Sequence, residues 1–328
     1  MLRSALSRGS STAVLGLLFS LACGSSSTEP GQTPGLTHPN GTISSTLTLT
    51  GRPHGVAIAS TGRFCVSQID GASVTCGMLT VTDVTLLAPI LVDLQPAHVA
   101  LSADGSQAYT ANQFGSSLSI VNLATSAVVA TLPLPSQGFN VLADPGSSRV
   151  YVTTSTGSLQ IVDAGTRAFV SQVATGPASN GLALDRSAGI LYVSSITAGT
   201  VAAVSTTTNA VVRIYPVSAK PQRIALSADG KTLFVANEGS GLDVLDLSSG
   251  ARSPVAGVDP GAVGLALAPD GKVVYVTNPP AGKVQIVDVA TRQVTTIPGL
   301  SSPRNVAFGL SGAAAVVTGE GNKVYVIR

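Results

Sequence analysis

One six-residue pattern recurs through the sequence at almost constant intervals. It reads VVYVTN at residues 273–278, and its variants are QAYTAN (107–112), RVYVTT (149–154), ILYVSS (190–195) and TLFVAN (232–237). The residues at its tyrosine position are separated by 43, 42, 41, 42, 41 and 41 residues, in the order Val66, Tyr109, Tyr151, Tyr192, Phe234, Tyr275 and Val316. Seven copies at one period predict seven repeats of a single structural unit.

Each copy contains four short segments with the features of β-strands. An apolar segment such as GLALA (264–268) comes first, and a turn that often contains Asp-Gly separates it from the tyrosine pattern. A third segment such as VQIVDV (284–289) and a fourth such as QVTTIPGL (293–300) complete the copy. Turn signals every eight to twelve residues, with many β-branched residues between them, predict an all-β chain.

The ends of the repeat predict how the units assemble. Four antiparallel strands at this period are typical of a propeller blade, and seven such units occupy residues 43–328. The last copy ends after its third strand, KVYVIR (323–328), whereas STLTLTG (45–51) precedes the first copy without a partner. We therefore predict a seven-bladed β-propeller of four-stranded antiparallel blades, closed by the N-terminal strand pairing in the last blade. Such closure covers the strand edge of the last unit that would otherwise be free to pair with another chain.

Three segments carry a resemblance to a known family. YVTN (275–278), SADGKTLFVAN (227–237) and IVDVATRQV (286–294) resemble the YVTN family of seven-bladed β-propeller repeat proteins. The resemblance covers nearly all of the chain after its first 42 residues, and it implies a secreted or periplasmic protein of bacteria or archaea. It is specific for the fold and says little about activity, because propellers support many unrelated functions.

The first 42 residues have the features of an export and anchoring segment. Arg3 and Arg8 precede an apolar run at 13–22 that is too short to span a bilayer, so residues 1–22 are predicted to be a signal peptide. The run ends at Cys23 and resembles a bacterial lipoprotein signal; the alternative is an ordinary secretory peptide with an incidental cysteine. Residues 23–42, rich in Ser, Thr, Gly and Pro, are predicted to be a flexible tether. We expect an exported, lipid-anchored protein of the cell envelope, on the periplasmic or outer-membrane face.

The two other cysteines are predicted to form a disulfide. Cys65 and Cys76 flank Asp70-Gly71, a strong signal for a two-residue hairpin turn. A turn at these two residues places the cysteines directly opposite each other, at a hydrogen-bonded pair of the hairpin. Export favours oxidation of such a pair, and two buried free thiols are the alternative.

Charge in this chain is sparse and balanced. Charged residues make up 10% of the sequence, and the 18 basic residues, two of which lie in the predicted signal peptide, face 16 acidic ones. A chain of this kind has no electrostatic footprint for nucleic acid. We expect a monomer that contacts the membrane only through its lipid anchor. Its partner would be an envelope protein, peptide or glycan of unknown identity.

Polar residues cluster where the first strand of each blade begins. In a propeller these positions surround one mouth of the axial channel, together with the loops between second and third strands. The candidates for ligand binding are His54, His98, Asn140, Asn180, Arg223, Glu238, Arg304 and Asn305, and the loops on the same face add Asp70, Gln113, Pro279, Pro280 and Glu320. Convergent donors suit an anionic or sugar-like ligand; the alternative is that these strand starts simply meet solvent.

The sequence lacks the common catalytic and metal-binding motifs. It contains no P-loop, H-E-x-x-H or EF-hand pattern, and no histidine follows residue 98, which excludes a Ser…Asp…His chain order. His54 and His98 occupy nearly equivalent positions, but two histidines without further ligands do not predict a metal site. We therefore predict no catalytic residue, no metal and no cofactor, and the sequence leaves enzymatic activity open.

Three functions are compatible with these features. The prediction we favour is a lipid-anchored binding or scaffold module that acts through the channel-mouth face. The alternative is a lactonase-like hydrolase or another small-ligand enzyme, with Glu238 and Glu320 beside Arg223 and Arg304 at the mouth. A surface-layer or adhesion role is a third possibility, suggested by the uncharged, Ser- and Thr-rich sequence.

Overall fold

The structure is a computed structural model that describes residues 37–328, and their regular secondary structure is almost entirely β-strand. The predicted signal peptide, the predicted lipidation site Cys23 and residues 23–36 of the predicted tether lie outside the described residues. Within 37–328, the helical structure is limited to a single three-residue 3-10 turn at Leu310–Gly312. None of the described residues belongs to a helix that is long and apolar enough to cross a membrane.

The strands form seven antiparallel sheets, one for each copy of the repeat. The strand before the first copy and those of blades one to three are β1 (Ile43–Thr48); β2 (Pro53–Ile58), β3 (Arg63–Gln68), β4 (Ser73–Leu79), β5 (Val84–Leu86) and β6 (Ile90–Leu91); β7 (Pro96–Leu101), β8 (Gln107–Asn112), β9 (Ser117–Asn122) and β10 (Ala127–Pro133); β11 (Gly138–Ala143), β12 (Arg149–Thr154), β13 (Ser158–Asp163) and β14 (Ala168–Ala174).

Blades four to seven follow the same order along the chain. Their strands are β15 (Ser179–Asp185), β16 (Ile190–Ser195), β17 (Thr200–Ser205) and β18 (Ala210–Pro216); β19 (Pro221–Leu226), β20 (Thr232–Asn237), β21 (Gly241–Asp246) and β22 (Arg252–Pro254); β23 (Leu265–Leu267), β24 (Val273–Asn278), β25 (Lys283–Asp288) and β26 (Val294–Pro298); β27 (Pro303–Gly309), β28 (Ala314–Gly319) and β29 (Lys323–Ile327).

Blade seven is completed by the N-terminal strand. The sheet order is β1-β29-β28-β27, and the register places Thr46 opposite Tyr325 and Thr48 opposite Lys323. The predicted seven-bladed, four-stranded propeller and its closure by pairing of the two chain ends are therefore confirmed. Because β1 covers the outer edge of β29, the terminal strand of the repeat does not present a free edge.

The apolar core is divided among the interfaces between blades. The described residues contain seven buried apolar clusters, and each cluster combines side chains of two adjacent blades. At the interface of blades six and seven, Tyr275 is fully buried and meets Phe308 edge-on, with ring centroids 5.0 Å apart. The repeated tyrosine is thus a packing residue, since it fills the space between neighbouring sheets.

Blade one departs from the predicted repeat register by one residue. Ala57 pairs with Cys65, as Ala266 pairs with Tyr275 in blade six, so the tyrosine position of blade one is Cys65 and the alignment of Val66 was wrong. The cause is the turn after the first strand, which spans residues 59–62 here but 102–106 in blade two. In the same blade the outer strand is split into β5 and β6, which flank Pro89, a residue that cannot donate to a strand ladder.

The hairpin of blade one holds the two cysteines face to face. Cys65 pairs with Cys76, the Cα atoms are 4.0 Å apart, and the sulfur atoms are bonded. The predicted two-residue turn is wrong: a four-residue loop at 69–72 connects the strands, and Ala72 has a φ of 42°. The longer loop changes which residue pairs of the hairpin exchange backbone hydrogen bonds. The Cys76 carbonyl points away from Cys65 and accepts a hydrogen bond from the N–H of Leu87. The cysteines therefore occupy a non-hydrogen-bonded pair.

The last six residues of the predicted tether pack against the ring. His38 Nδ1 lies 2.6 Å from Asp270 Oδ2, in the turn after the first strand of blade six. The Tyr275 hydroxyl donates to the Pro39 carbonyl at 3.3 Å, and Thr42 exchanges two backbone hydrogen bonds with Arg328. The predicted tether therefore does not extend to residue 42, because residues 37–42 belong to the folded unit.

Candidate functional site

The first strands of the seven blades line the axis, and equivalent positions form layers along it. We call the seven residues at the mouth of the channel the mouth layer: His54, Ala97, Phe139, Asn180, Gln222, Val263 and Arg304. Together with Gln113 and Ile196 from neighbouring loops, they line a mouth cavity of about 210 Å³. No two adjacent blades contribute the same residue type, so this layer is asymmetric in spite of the repeated fold.

The next position along each first strand forms a second layer, which we call the inner layer. It contains three glycines, none of them in adjacent blades, and four larger polar side chains: Gly55, His98, Asn140, Gly181, Arg223, Gly264 and Asn305. A Cβ atom on Gly55 would lie 2.6 Å from His98 Cα, and one on Gly264 would lie 2.3 Å from the Arg304 carbonyl oxygen. Glycine is required at these positions because the first strand of the next blade approaches too closely for a side chain.

The predicted site residues therefore separate into two groups. His54, Asn180 and Arg304 lie in the mouth layer, whereas His98, Asn140, Arg223 and Asn305 lie one position deeper. The near equivalence of His54 and His98 is thus a difference of one layer. Among residues 37–328, no three His, Cys, Asp or Glu side chains are grouped so that they could hold a metal ion.

His54 is held as a neutral imidazole. Its Nδ1 lies 2.6 Å from the Ala97 carbonyl oxygen and donates to it, and its Nε2 accepts a hydrogen bond from Arg304 Nε at 3.0 Å. Burial, reinforced by the positive charge of Arg304, lowers the pKa of His54 to about 3. With both nitrogens engaged, His54 joins blades one, two and seven and has no free lone pair to act as a base.

Arg304 connects the mouth layer to an acidic loop residue. Its Nε lies 3.6 Å from Glu320 Oε1 in the loop after β28, and Glu320 also lies 3.9 Å from His54 Nε2. The neighbouring Asn305 donates from Nδ2 to the His54 carbonyl at 2.8 Å. The chain ends of the ring, blades seven and one, are therefore joined by side-chain contacts at the axis as well as by β1.

Arg223 is the central cation of the inner layer. Its Nε donates to Asn305 Oδ1 at 3.0 Å and its Nη1 to Asn180 Oδ1 at 3.3 Å. Asn180 Nδ2 donates in turn to Gln222 Oε1 at 2.6 Å, and Gln222 Nε2 donates to Glu238 Oε2 at 3.0 Å. These bonds link three of the predicted candidates to Glu238, which lies at the rim.

Arg223 is buried without a counter-ion among the described residues. Its exposed fraction is 8%, and no carboxylate of residues 37–328 lies within 4.0 Å of its guanidinium. Burial, together with the charge of Arg304, lowers the pKa of Arg223 to about 9. Removing a guanidinium from water without an opposite charge is costly, so this residue carries unfavourable electrostatic energy in the folded state.

The other two polar residues of the inner layer, Asn140 and His98, do not bond to Arg223. Asn140 Oδ1 accepts a hydrogen bond from the backbone N–H of Val141 at 2.9 Å, so this side chain supports its own strand. His98 Nδ1 is buried and has no hydrogen-bond partner in the described part of the chain. Burial and the neighbouring Arg223 charge hold the pKa of His98 well below its usual range.

A hydroxyl network joins the blades beside these layers, and sequence analysis did not foresee it. The Thr277 hydroxyl accepts from Gly264 N–H and donates to the Arg304 carbonyl of the next blade, both at 2.8 Å. The same two bonds recur at Thr153, Ser194 and Thr318. In blade five Ala236 stands where the other blades have the hydroxyl. There the backbone N–H of Arg223 donates directly to the Val263 carbonyl at 3.3 Å. The threonine of the repeated pattern is therefore an inter-blade link.

The loops of the mouth face extend the site towards the rim. Glu238, Pro279 and Pro280 line a second cavity of about 340 Å³, which shares Gln222, Val263 and Arg304 with the mouth cavity. Asp70 instead forms an exposed ion pair with Arg52 at 3.0 Å and lines neither cavity. The mouth cavity and its extension thus form one polar depression, which runs from the axis over blades five to seven.

The fold and these layers define the chain as a seven-bladed β-propeller with a polar channel mouth. No protein-family model matches it. It is similar to the uncharacterized protein YncE of Salmonella typhimurium, with 28% identity over 143 residues, which is 42% of this chain and 40% of that protein. It is also similar in structure to a chain of Kuenenia stuttgartiensis hydrazine synthase, with a TM-score of 0.75, 20% identity and coverage of 86% of this chain and 97% of the other. These similarities support the propeller fold.

Proposed function

We propose that this protein is a lipid-anchored binding or scaffold module of the cell envelope that engages its partner through the channel-mouth face. The observation that carries the proposal is the polar depression that runs from the axis over blades five to seven, where Gln222, Glu238 and Arg304 surround two joined cavities. Such a surface offers donors and acceptors to a peptide or glycan, and a propeller presents it on a rigid base.

The geometry of the mouth favours binding over catalysis. A general base needs a free lone pair within reach of its substrate, and both nitrogens of His54 are already engaged by Ala97 and Arg304. Glu320 and Glu238 lie close to cations or donors of the same network. A lactone-hydrolysis assay tests the alternative: activity that disappears in His54→Ala, with the fold intact, would overturn the scaffold proposal.

A charge reversal at the rim tests the binding surface. Glu238 lies beside the second cavity and its side chain is 43% exposed, so Glu238→Lys changes the surface without disturbing the core. We expect this variant to lose a partner that wild-type protein retains from solubilised envelope, whereas Thr295→Lys on an exposed outer-strand position retains it. Equal retention by both variants would contradict the assignment of the mouth face.

The anchor has a separate test. Cys23→Ser removes the thiol that would carry the lipid, so the protein should leave the membrane fraction and become a free exported protein. Unchanged partitioning into membranes would contradict the lipid anchor but would leave the proposed binding face untouched.

A further inference from the structure

A second cavity lies on the other side of the inner layer from the mouth. This axial cavity has a volume of about 550 Å³, within the range of roughly 300–1,000 Å³ usual for small-molecule sites. Its wall includes the residues that follow the inner layer in all seven first strands, whose side chains are buried between the blades and which we call the apolar ring: Val56, Val99, Val141, Leu182, Ile224, Leu265 and Val306.

The axial cavity opens on the face opposite the mouth. Its lining includes Ser60, Ala103 and Pro145, which are exposed residues of the turns between the first and second strands of blades one to three. A ligand can therefore enter between these turns without passing the mouth layer. The channel is thus divided into two compartments by the inner layer.

The closed end of the axial cavity is polar, and most of the residues along its wall are aliphatic. His98, Arg223 and Asn305 all line it, and Arg223 lines the mouth cavity as well. The hydrogen bonds of Arg223 to the described residues use Nε and Nη1, so Nη2 has no acceptor among them. His98 Nδ1 also lacks a partner within residues 37–328, but it is fully buried and does not face the cavity. One unused guanidinium nitrogen therefore stands at the closed end of the axial cavity.

We propose that the axial cavity binds an amphiphilic monoanion, with a carboxylate on Arg223 and an apolar chain along the partly exposed aliphatic side chains of the wall, such as Ile58, Leu101 and Leu142. Arg223 supplies one uncompensated positive charge, which a single negative charge neutralises. The Nη1 and Nη2 edge of a guanidinium matches the two oxygens of a carboxylate. The partly exposed aliphatic side chains of the wall exclude water from the chain of the ligand.

This assignment does not depend on the partner proposed for the mouth face. The two compartments lie on opposite sides of the inner layer, and they open on opposite faces of the ring. A small molecule bound in the axial cavity would influence the mouth face, because Arg223 also faces the mouth cavity and contacts Asn180 of the mouth layer.

Calorimetric titration of the purified propeller with four probes tests the class of ligand. We expect sodium octanoate to bind at least tenfold more tightly than 1-octanol, which lacks the charge, and than acetate, which lacks the chain. Octyl phosphate separates the two anionic head groups. Tighter binding of octyl phosphate than of octanoate would overturn the carboxylate assignment, and equal binding of octanoate and octanol would overturn the role of Arg223.

Three variants locate the site. Arg223→Met should weaken octanoate binding at least tenfold and leave octanol unchanged, and Arg223→Lys, which keeps the charge but loses the planar edge, should give a smaller loss. Ala57→Leu, which fills the axial cavity from its wall, should abolish binding of both probes. Thr295→Ala on the outer strand is the control. Octanoate affinity that survives Arg223→Met or Ala57→Leu, or no measurable binding at millimolar octanoate, would refute the proposal.

Discussion

Removal of one hydroxyl at a blade interface should destabilise the whole ring. Thr277 is fully buried, and its Oγ1 forms one bond to Gly264 of its own blade and one to Arg304 of the next, both at 2.8 Å. Thr277→Val keeps the shape of the side chain but leaves a buried N–H and a buried carbonyl without that partner. Each such group costs about 1–3 kcal/mol, so we expect a loss of about 2–6 kcal/mol in the free energy of unfolding.

Equilibrium unfolding in guanidinium, followed by circular dichroism at pH 7.5, measures this loss. Thr295→Val in the same blade is the matched control, because its side chain is exposed, and it should change stability by less than about 0.5 kcal/mol. If Thr277→Val falls within about 0.5 kcal/mol of this control, the hydroxyl does not link the blades and the explanation of the repeated threonine is wrong.

Three further perturbations test other parts of the structure. The pKa of His54 is lowered to about 3, so between pH 6.5 and 3 the unfolded chain binds more protons than the folded protein, and stability falls as the pH falls. Because of this residue, the free energy of unfolding should be about 2 kcal/mol lower at pH 5.0 than at pH 7.5. This difference should shrink in His54→Gln. Reducing the disulfide between Cys65 and Cys76, which are 11 residues apart, should lower the free energy of unfolding by about 3 kcal/mol, and an unchanged denaturation midpoint would contradict this. A chain that begins at residue 49 lacks β1 and should form oligomers through the exposed edge of β29 in gel filtration, whereas one that begins at residue 37 should stay monomeric.

The fold was predictable because its information is local and repeated. The period near 42 residues indicated the blades, and the two incomplete ends indicated the closure that β1 and β29 form. Errors arose where a copy differs from the others by one residue. In blade one a shorter turn moved the tyrosine position to Cys65, and a four-residue loop replaced the expected two-residue turn. Such changes in loop length cannot be read from strand patterns alone.

The candidate site was predictable in composition but not in arrangement. The sequence placed His54, Arg223 and Arg304 near one mouth, because all of them begin first strands. It did not indicate that Arg223 lies a layer deeper, nor that the Thr277 hydroxyl bonds to the following blade. Both facts depend on distances between chain segments some 27 to 82 residues apart, as in the contacts of Thr277 with Arg304 and of Arg223 with Asn305.

Positions that repeat and positions that vary have different roles in this ring. The tyrosine and threonine of the pattern recur because most interfaces use similar packing and four use the same pair of hydroxyl bonds, as Tyr275 and Thr277 illustrate. At the inner layer the same strand position holds glycine in three blades and a polar side chain in four. Interfaces between repeats constrain the first class, whereas the axis is where the copies can differ without breaking the ring. The uncompensated charge of Arg223 lies at such a variable position, which is where a repeat protein can place a binding site at the least cost to its fold.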